Sequence, residues 1–406
     1  MEKLVGFGTR HTLSDTSSNE RGIGASRRWI KSQFEEYAKQ SHGRMTVEFQ
    51  RSYVQPSARV PYPAEIVNVV ATLSPRDTTT ASSRRIILVG GHYDSRASDV
   101  IDTVSDAPGA DDDGSGTALV LELARVLSMY EFDATVVIVC FAGEEQGLLG
   151  GTQLAAFAVK KNWNIEAVLN NDIVGGTHGG DGNVESTYVR LFSEAYNPLD
   201  TGSVFQQRNF LGLENDGGSR TLARSVKEIG EKYLPNFGVR LVYRRDRFLR
   251  SGDHVPFHQR GFAAVRFTEA RENFNHQHQN VRIEKGVEYG DLPKFMDFHY
   301  CANIARVNAA AIANLAWSPV SPAKVGIVTS QLEYQTRLKW IKNSEHDLSG
   351  YFVRYRETSS PVWQLTEFTT DTTLTLEVLK DDFIFGVQSV DKEGNSSLIV
   401  VPRPLR

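Results

Sequence analysis

Two short stretches, Ile86–Gly91 (IILVGG) and Thr135–Phe141 (TVVIVCF), are apolar at nearly every position and too short to stand alone as helices. A strand with one wet face alternates apolar and polar residues, whereas an unbroken apolar run belongs to a strand covered on both faces. Between them the stretch TALVLELARVLSMY has helical spacing, and a second helical pattern runs from about Gln146 to Asn162 before the strand-like IEAVLNNDIVG. Apolar strand alternating with amphipathic helix predicts an α/β fold: a mixed, mostly parallel sheet with helices on both faces. Upstream, GIGASRRWIKSQFEEY reads as an amphipathic helix, and RMTVEFQRSYV and AEIVNVVATL read as strands. Downstream, a helix near Ser219–Tyr233, the strand GFAAVRFTEA and a long helix across Phe295–Trp317 extend the pattern.

The pattern changes after Trp317. A Pro/Ser-containing linker (318–323) leads into short alternating runs (RLKWIK, GYFVRYRE, TLTLEVL, DFIFGVQSVD) separated by turn residues. Regular short strands without helical period predict a small all-β sandwich over 324–406, with Trp340 and Tyr355 as core aromatics, behind an α/β domain of 1–317. The formal net charge of −4 and the absence of a Lys/Arg stripe speak against a nucleic-acid partner. Cys140 and Cys301 lie in apolar segments, which suits two buried thiols rather than a disulfide or a thiolate zinc site. The opening MEKLVGFGTRHTLSDTSS lacks the apolar core of a signal peptide, and no apolar run is long enough to span a membrane.

The chemistry-bearing side chains cluster where the predicted strands end, the edge at which such sheets place ligands. His92 follows the first apolar run, with Asp94 two residues on, an arrangement in which an imidazole binds a metal and a neighbouring acid orients it. Asp111, Asp112 and Asp113 stand side by side before a helix; consecutive carboxylates repel unless solvated or neutralised by a cation, and Asp113 also suits a helix N-cap. Glu144 and Glu145 close the second apolar run, where one can ligate a metal and the other act as general base. Asp172 ends a third strand, and the stretch Asn275–Asn280 after a fourth holds His276 and His278. His, Asp and Glu donors without thiolate suit zinc, and five ligands exceed the three that one catalytic zinc takes from a protein.

Taken in order, HYDS, GADDDGSG, FAGEEQGLLGG, NND and the late histidine resemble the M28 zinc aminopeptidase family over roughly residues 20 to 317. The later residues resemble a fibronectin type III module. The family resemblance implies two zinc ions: His92 and Asp172 on one, Glu145 and a late histidine on the other, and Asp112 bridging. It implies Glu144 as general base and Asp94 as the orienting partner of His92. For the late histidine His276 is favoured, with His278 as a competing imidazole; Asn280 stands where the family has an acid four residues after the ligand. His254 is read as structural or substrate-side. The expected substrates are peptides with a free N-terminus, with an apolar preference set by Ile173, Phe267 and Phe274. A carboxypeptidase of the same family, a single-zinc glutaminyl cyclase and a catalytically inactive binding protein are the rival readings. The family and the fibronectin-like module imply export to the periplasm or outside the cell, a cytoplasmic location being the alternative.

Overall fold

In the computed structural model, which describes residues 1–405, the two apolar runs become neighbouring parallel strands at the centre of an eight-stranded sheet. The strands are β1 (Met45–Val54), β2 (Ala64–Leu73), β3 (Arg85–His92), β4 (Thr135–Phe141), β5 (Asn164–Asn171), β6 (Tyr188–Ser193), β7 (Gly238–Val242) and β8 (Ala264–Thr268). Their spatial order is β1-β2-β4-β3-β5-β8-β6-β7. The pairs β4/β3, β3/β5, β5/β8 and β6/β7 are parallel, and β1/β2, β2/β4 and β6/β8 antiparallel.

Eight helices accompany the sheet: α1 (Glu2–Val5), α2 (Gly22–Ala38), α3 (Gly114–Leu127), α4 (Leu149–Lys160), α5 (Ser203–Phe210), α6 (Gly218–Tyr233), α7 (His254–His258) and α8 (Phe298–Trp317). The period of two in β3 decides which of them each side chain meets. Ile87 and Val89 join Ile30, Phe34, Leu119, Val226 and Ile304 from α2, α3, α6 and α8. Leu88 points the other way, to Leu154, Ala158 and Phe257 of α4 and α7. Because both faces are covered, a strand with no polar alternation is the one that fits there, and the expected α/β class is what the structure has.

Two expected boundaries shift. Gly147 and Leu148 both take positive φ, so the chain turns after the glutamate pair and α4 begins at Leu149 rather than near Gln146. A separate 3₁₀ turn covers Pro293–Phe295, and α8 starts behind the Asp297 cap. Strands β6 and β7 and the hairpin β9 (Arg282–Glu284) and β10 (Val287–Tyr289) were not among the expected elements.

Beyond α8 come β11 (Ala323–Val328), β12 (Thr336–Ile341), β13 (Leu348–Glu357), β14 (Leu365–Thr369), β15 (Thr373–Leu376), β16 (Phe383–Asp391) and β17 (Arg403–Leu405). They form a four-stranded sheet, β15-β12-β11-β17, and a three-stranded sheet, β14-β13-β16, antiparallel apart from the β11/β17 pair. Both contribute to one apolar cluster that includes Leu338, Trp340, Tyr351, Tyr355 and Phe385. These sheets are fastened to α6 by Asp216, whose buried carboxylate meets Arg224 at 3.0 Å and Arg356 of β13 at 2.8 Å. Arg354 pairs with Glu228 on the same helix at 3.0 Å.

Candidate active site

Strands β3 and β4 end level with each other, His92 opposite Phe141, so the residues that follow them emerge side by side at one edge of the sheet. β5 delivers Asp172 to the same edge and β8 leads to the loop that carries His278. Two groups of ligating atoms result, His92, Glu144 and Asp172 in one and Asp112, Glu145 and His278 in the other, each with its atoms within 4.8 Å of one another.

The three consecutive aspartates separate by direction. Asp113 caps α3, accepting from the Gly116 amide at 2.9 Å, and its other oxygen accepts from the His92 amide at 2.9 Å. Asp111 turns to the amide of Gly175 at 2.9 Å. Only Asp112 faces the cluster, with Oδ1 3.2 Å from His92 Nε2 and Oδ2 3.0 Å from His278 Nε2. Each oxygen thus addresses one group. Buried Asp291 fixes this loop by accepting the amides of Asp111 and Asp112, both at 2.8 Å. From the far side the buried Arg10 guanidinium donates to the carbonyls of Tyr93, Pro108 and Gly109, tying together the loops on either side of the site.

Asp94, fully buried, lies 3.5 Å from His92 Nδ1 and accepts from Thr12 Oγ1 at 3.0 Å. It also accepts the amides of Glu144 and Glu145, at 3.3 and 3.2 Å, so one carboxylate sets both the imidazole and the turn that presents the glutamate pair. Arg266 on β8 lies 2.6 Å from Asp172 Oδ1 and holds Asp246 with the same guanidinium. A second oxygen of Asp172 is left toward His92, at 3.9 Å.

Burial pushes the Glu144 carboxyl well above the ordinary range, and Asp172, Glu145 and Asp253 add to this against the opposing pull of His92. For Asp112 burial acts upward as well, but His278 and His92 outweigh it and hold that carboxyl well below the usual range. Burial opposes charge on His278, yet Glu145 and Asp112 raise it to about 9. His92 Nε2 and Glu145 Oε1 are buried and point into the cluster, and neither makes a well-aligned hydrogen bond, although Asp112 Oδ1 and His278 Nε2 lie 3.2 and 3.0 Å from them. An unpaired buried polar atom is costly, and a divalent cation at each group would satisfy these atoms and offset the crowding of carboxylates. Among the described residues the donor set is all nitrogen and oxygen, as zinc in a hydrolytic site takes.

The expectation for the late histidine is corrected here. His276 stacks on Phe295, ring centroids 3.6 Å apart and 9° from parallel, and belongs to neither group. His278 takes a left-handed backbone, φ 52°, which swings its ring back to Asp112 and to Glu145 Oε1, 3.0 Å away. Asn280 does not reach the cluster; it ties this loop to Ser98 through hydrogen bonds of 2.8 and 2.9 Å. His254 is buried, donates from Nε2 to the Arg245 carbonyl at 2.9 Å, and is lowered by burial to about 4. The expected apolar pocket residues part company. Ile173 and Phe267 are 1% and 0% exposed and lie within the core, whereas Phe274 is exposed and lines an open cleft with Arg190, Arg271 and Glu272.

Sequence reasoning missed Arg10, Thr12, Arg266 and Asp291. Arg266 had a signal, a guanidinium inside the apolar run AAVRF that cannot be buried without an acid.

The model of peptidase family M28 matches residues 68–283, which includes every residue of both groups. A probable zinc metalloprotease of Leptosphaeria maculans is 43% identical over 404 residues, spanning 99% of this chain and 93% of its own. Among solved structures, the LapA aminopeptidase of Legionella pneumophila superposes with a TM-score of 0.51 at 18% identity, over 76% of this chain and 66% of its own. A glutaminyl cyclase of Fimbriiglobus ruber does so with a TM-score of 0.51 at 18% identity, over 77% and 92%. The two structures speak to the fold alone, while the family match and the 43% identical relative carry the assignment: the chain belongs to peptidase family M28.

Proposed function

We propose that the protein is a zinc-dependent aminopeptidase that holds two zinc ions and removes the N-terminal residue of peptides. The observation that carries this reading is Asp112, one carboxylate with an oxygen toward each of two ligand groups. In this reading His92 and Asp172 would hold one zinc and Glu145 and His278 the other, with Asp112 able to serve both groups. When bound, the ions act as Lewis acids on the scissile carbonyl and lower the pKa of the attacking water. Glu144, outside the joined ligand set and partly open to solvent, takes the proton of that water and passes it to the departing amine. Asp94 keeps His92 in the tautomer that leaves Nε2 free. The surplus of carboxylates around the cluster favours a substrate with a cationic amino terminus. The name of the fungal relative, a probable zinc metalloprotease, supports the zinc-peptidase part of this reading.

The test is cleavage of aminoacyl anilides with free and with acetylated amino groups, with and without a zinc chelator, beside zinc content per chain and a Glu144→Gln variant. Chelator-sensitive cleavage of the free-amine substrates alone is expected, with about two zinc ions per chain. Cleavage confined to N-blocked peptides with a free carboxylate would select a carboxypeptidase instead. Glu144→Gln is expected to keep its zinc and lose kcat by about 10²–10⁴-fold.

A further inference from the structure

The loop from Arg244 to Asp253 carries four arginines, and three have evident partners. Arg244 stacks on Phe248 at 4.3 Å, Arg245 pairs with Glu194 at 2.9 Å, and Arg247 pairs with Glu272 and Asp246. Arg250 differs: among the described residues it has no carboxylate partner and no aromatic one. Its guanidinium instead lies 3.2 Å from His278 Nδ1 and 3.4 Å from Gln277 Oε1, both uncharged acceptors at best.

Its route is as informative as its contact. Gly252, two residues on, packs so close to the first group that a Cβ there would sit 3.3 Å from Asp172 Oδ2. The guanidinium of Arg250 thus lies against a ligand of the second group, while its own loop, two residues on, packs against a ligand of the first. The contact with His278 also conflicts with metal binding. An imidazole that ligates through Nε2 carries its proton on Nδ1, and a guanidinium has only donors to offer. Two N–H groups then face each other, and Arg250 loses its nearer acceptor.

We propose that Arg250 is a specificity-determining residue that turns from His278 to a carboxylate of the substrate. The proposal rests on the peptidase reading above. A planar guanidinium without a competing acid, half-buried at the rim of a metal site, matches a carboxylate in two-point fashion. That carboxylate has two sources, the C-terminus of a short peptide or an acidic side chain, and the chemistry is the same for both.

Two peptide pairs separate the sources: leucyl-alanine against its amide, and glutamyl-alanine amide against glutaminyl-alanine amide. Cleavage kinetics are measured on native, Arg250→Gln and Arg250→Lys proteins. Dissociation constants are measured by calorimetry on zinc-loaded Glu144→Gln protein with and without Arg250→Gln. Removing the charge is expected to raise KM and Kd at least about tenfold for the carboxylate-bearing member of one pair and to leave its neutral counterpart within about twofold. Arg250→Lys should restore part of the loss. A selective loss in the first pair assigns the terminal carboxylate, and in the second the side chain. Equal losses within both pairs, or none, overturn the proposal. If native protein cleaves none of the four peptides the peptidase reading fails, while the calorimetric comparison still decides the role of Arg250.

Discussion

His276 and His278 stand two residues apart and meet opposite surroundings, one a phenyl ring and the other a pair of carboxylates. On the two-zinc reading proposed above, replacing His278 by alanine should therefore remove one zinc per chain in a metal analysis, whereas His276→Ala should leave the zinc content unchanged and lose only the stacking against Phe295. Asp94→Asn touches no metal yet weakens the hold on His92 and on the Glu144–Glu145 amides; zinc affinity should fall about 10- to 100-fold in a competition titration. At this scale the sequence was most legible where chemistry and burial conflict. Acids and an imidazole at the ends of apolar strands need an explanation, and His92, Asp112, Glu144, Glu145 and Asp172 were singled out for that reason; the structure draws them together. The choice between two nearby histidines turns on a single left-handed residue, which side-chain chemistry does not encode. Arg10 was illegible for a different reason: its partners are main-chain carbonyls, which every residue carries.

Among the elements, β8 shows how a buried charge is tolerated. Arg266 is 1% exposed in a strand of otherwise apolar environment, and Asp172 and Asp246 on either side complete its environment. Arg266→Met leaves Asp172 without its guanidinium and Asp246 with Arg247 alone, and should cost about 3–5 kcal/mol in urea unfolding. Asp246 yields a pH dependence. Burial acts to raise it, but Arg266 and Arg247 hold it at about 2, below the unfolded value of about 3.9. A depressed folded pKa stabilises above the unfolded value, so this contribution is complete near neutrality and fades as pH falls from about 4 through about 2, to the extent of about 2.5 kcal/mol. Asp246→Asn should be less stable at neutral pH and flatter across that acid window. Strands β3, β4 and β5 were legible because two covered faces force an unbroken apolar run. Strands β6 and β7, YVRLFS and GVRLV, carry arginines and half-exposed positions at one end of the sheet, and only pairing with β8 and with each other reveals them as strands.

Across the whole molecule, the C-terminal sheets are joined to the larger one by buried charge. Asp216→Ala leaves Arg224 and Arg356 without their acid and should lower the stability by about 3–5 kcal/mol, with near-UV circular dichroism reporting loosening around Trp363, which packs beside Arg356. The change from helical to strand period after Trp317 was plain in the sequence; the fastening was not, since Asp216 and Arg356 are 140 residues apart. Distance along the chain also matters at the other end. Arg10 grips carbonyls 83, 98 and 99 residues further on. The loops that carry the two ligand groups are therefore held in part by the start of the chain. By reciprocity, whatever tightens those loops tightens that early segment too. Zinc should thus protect the amides around Arg10 from hydrogen exchange, a signal of metal occupancy written well outside the coordination sphere.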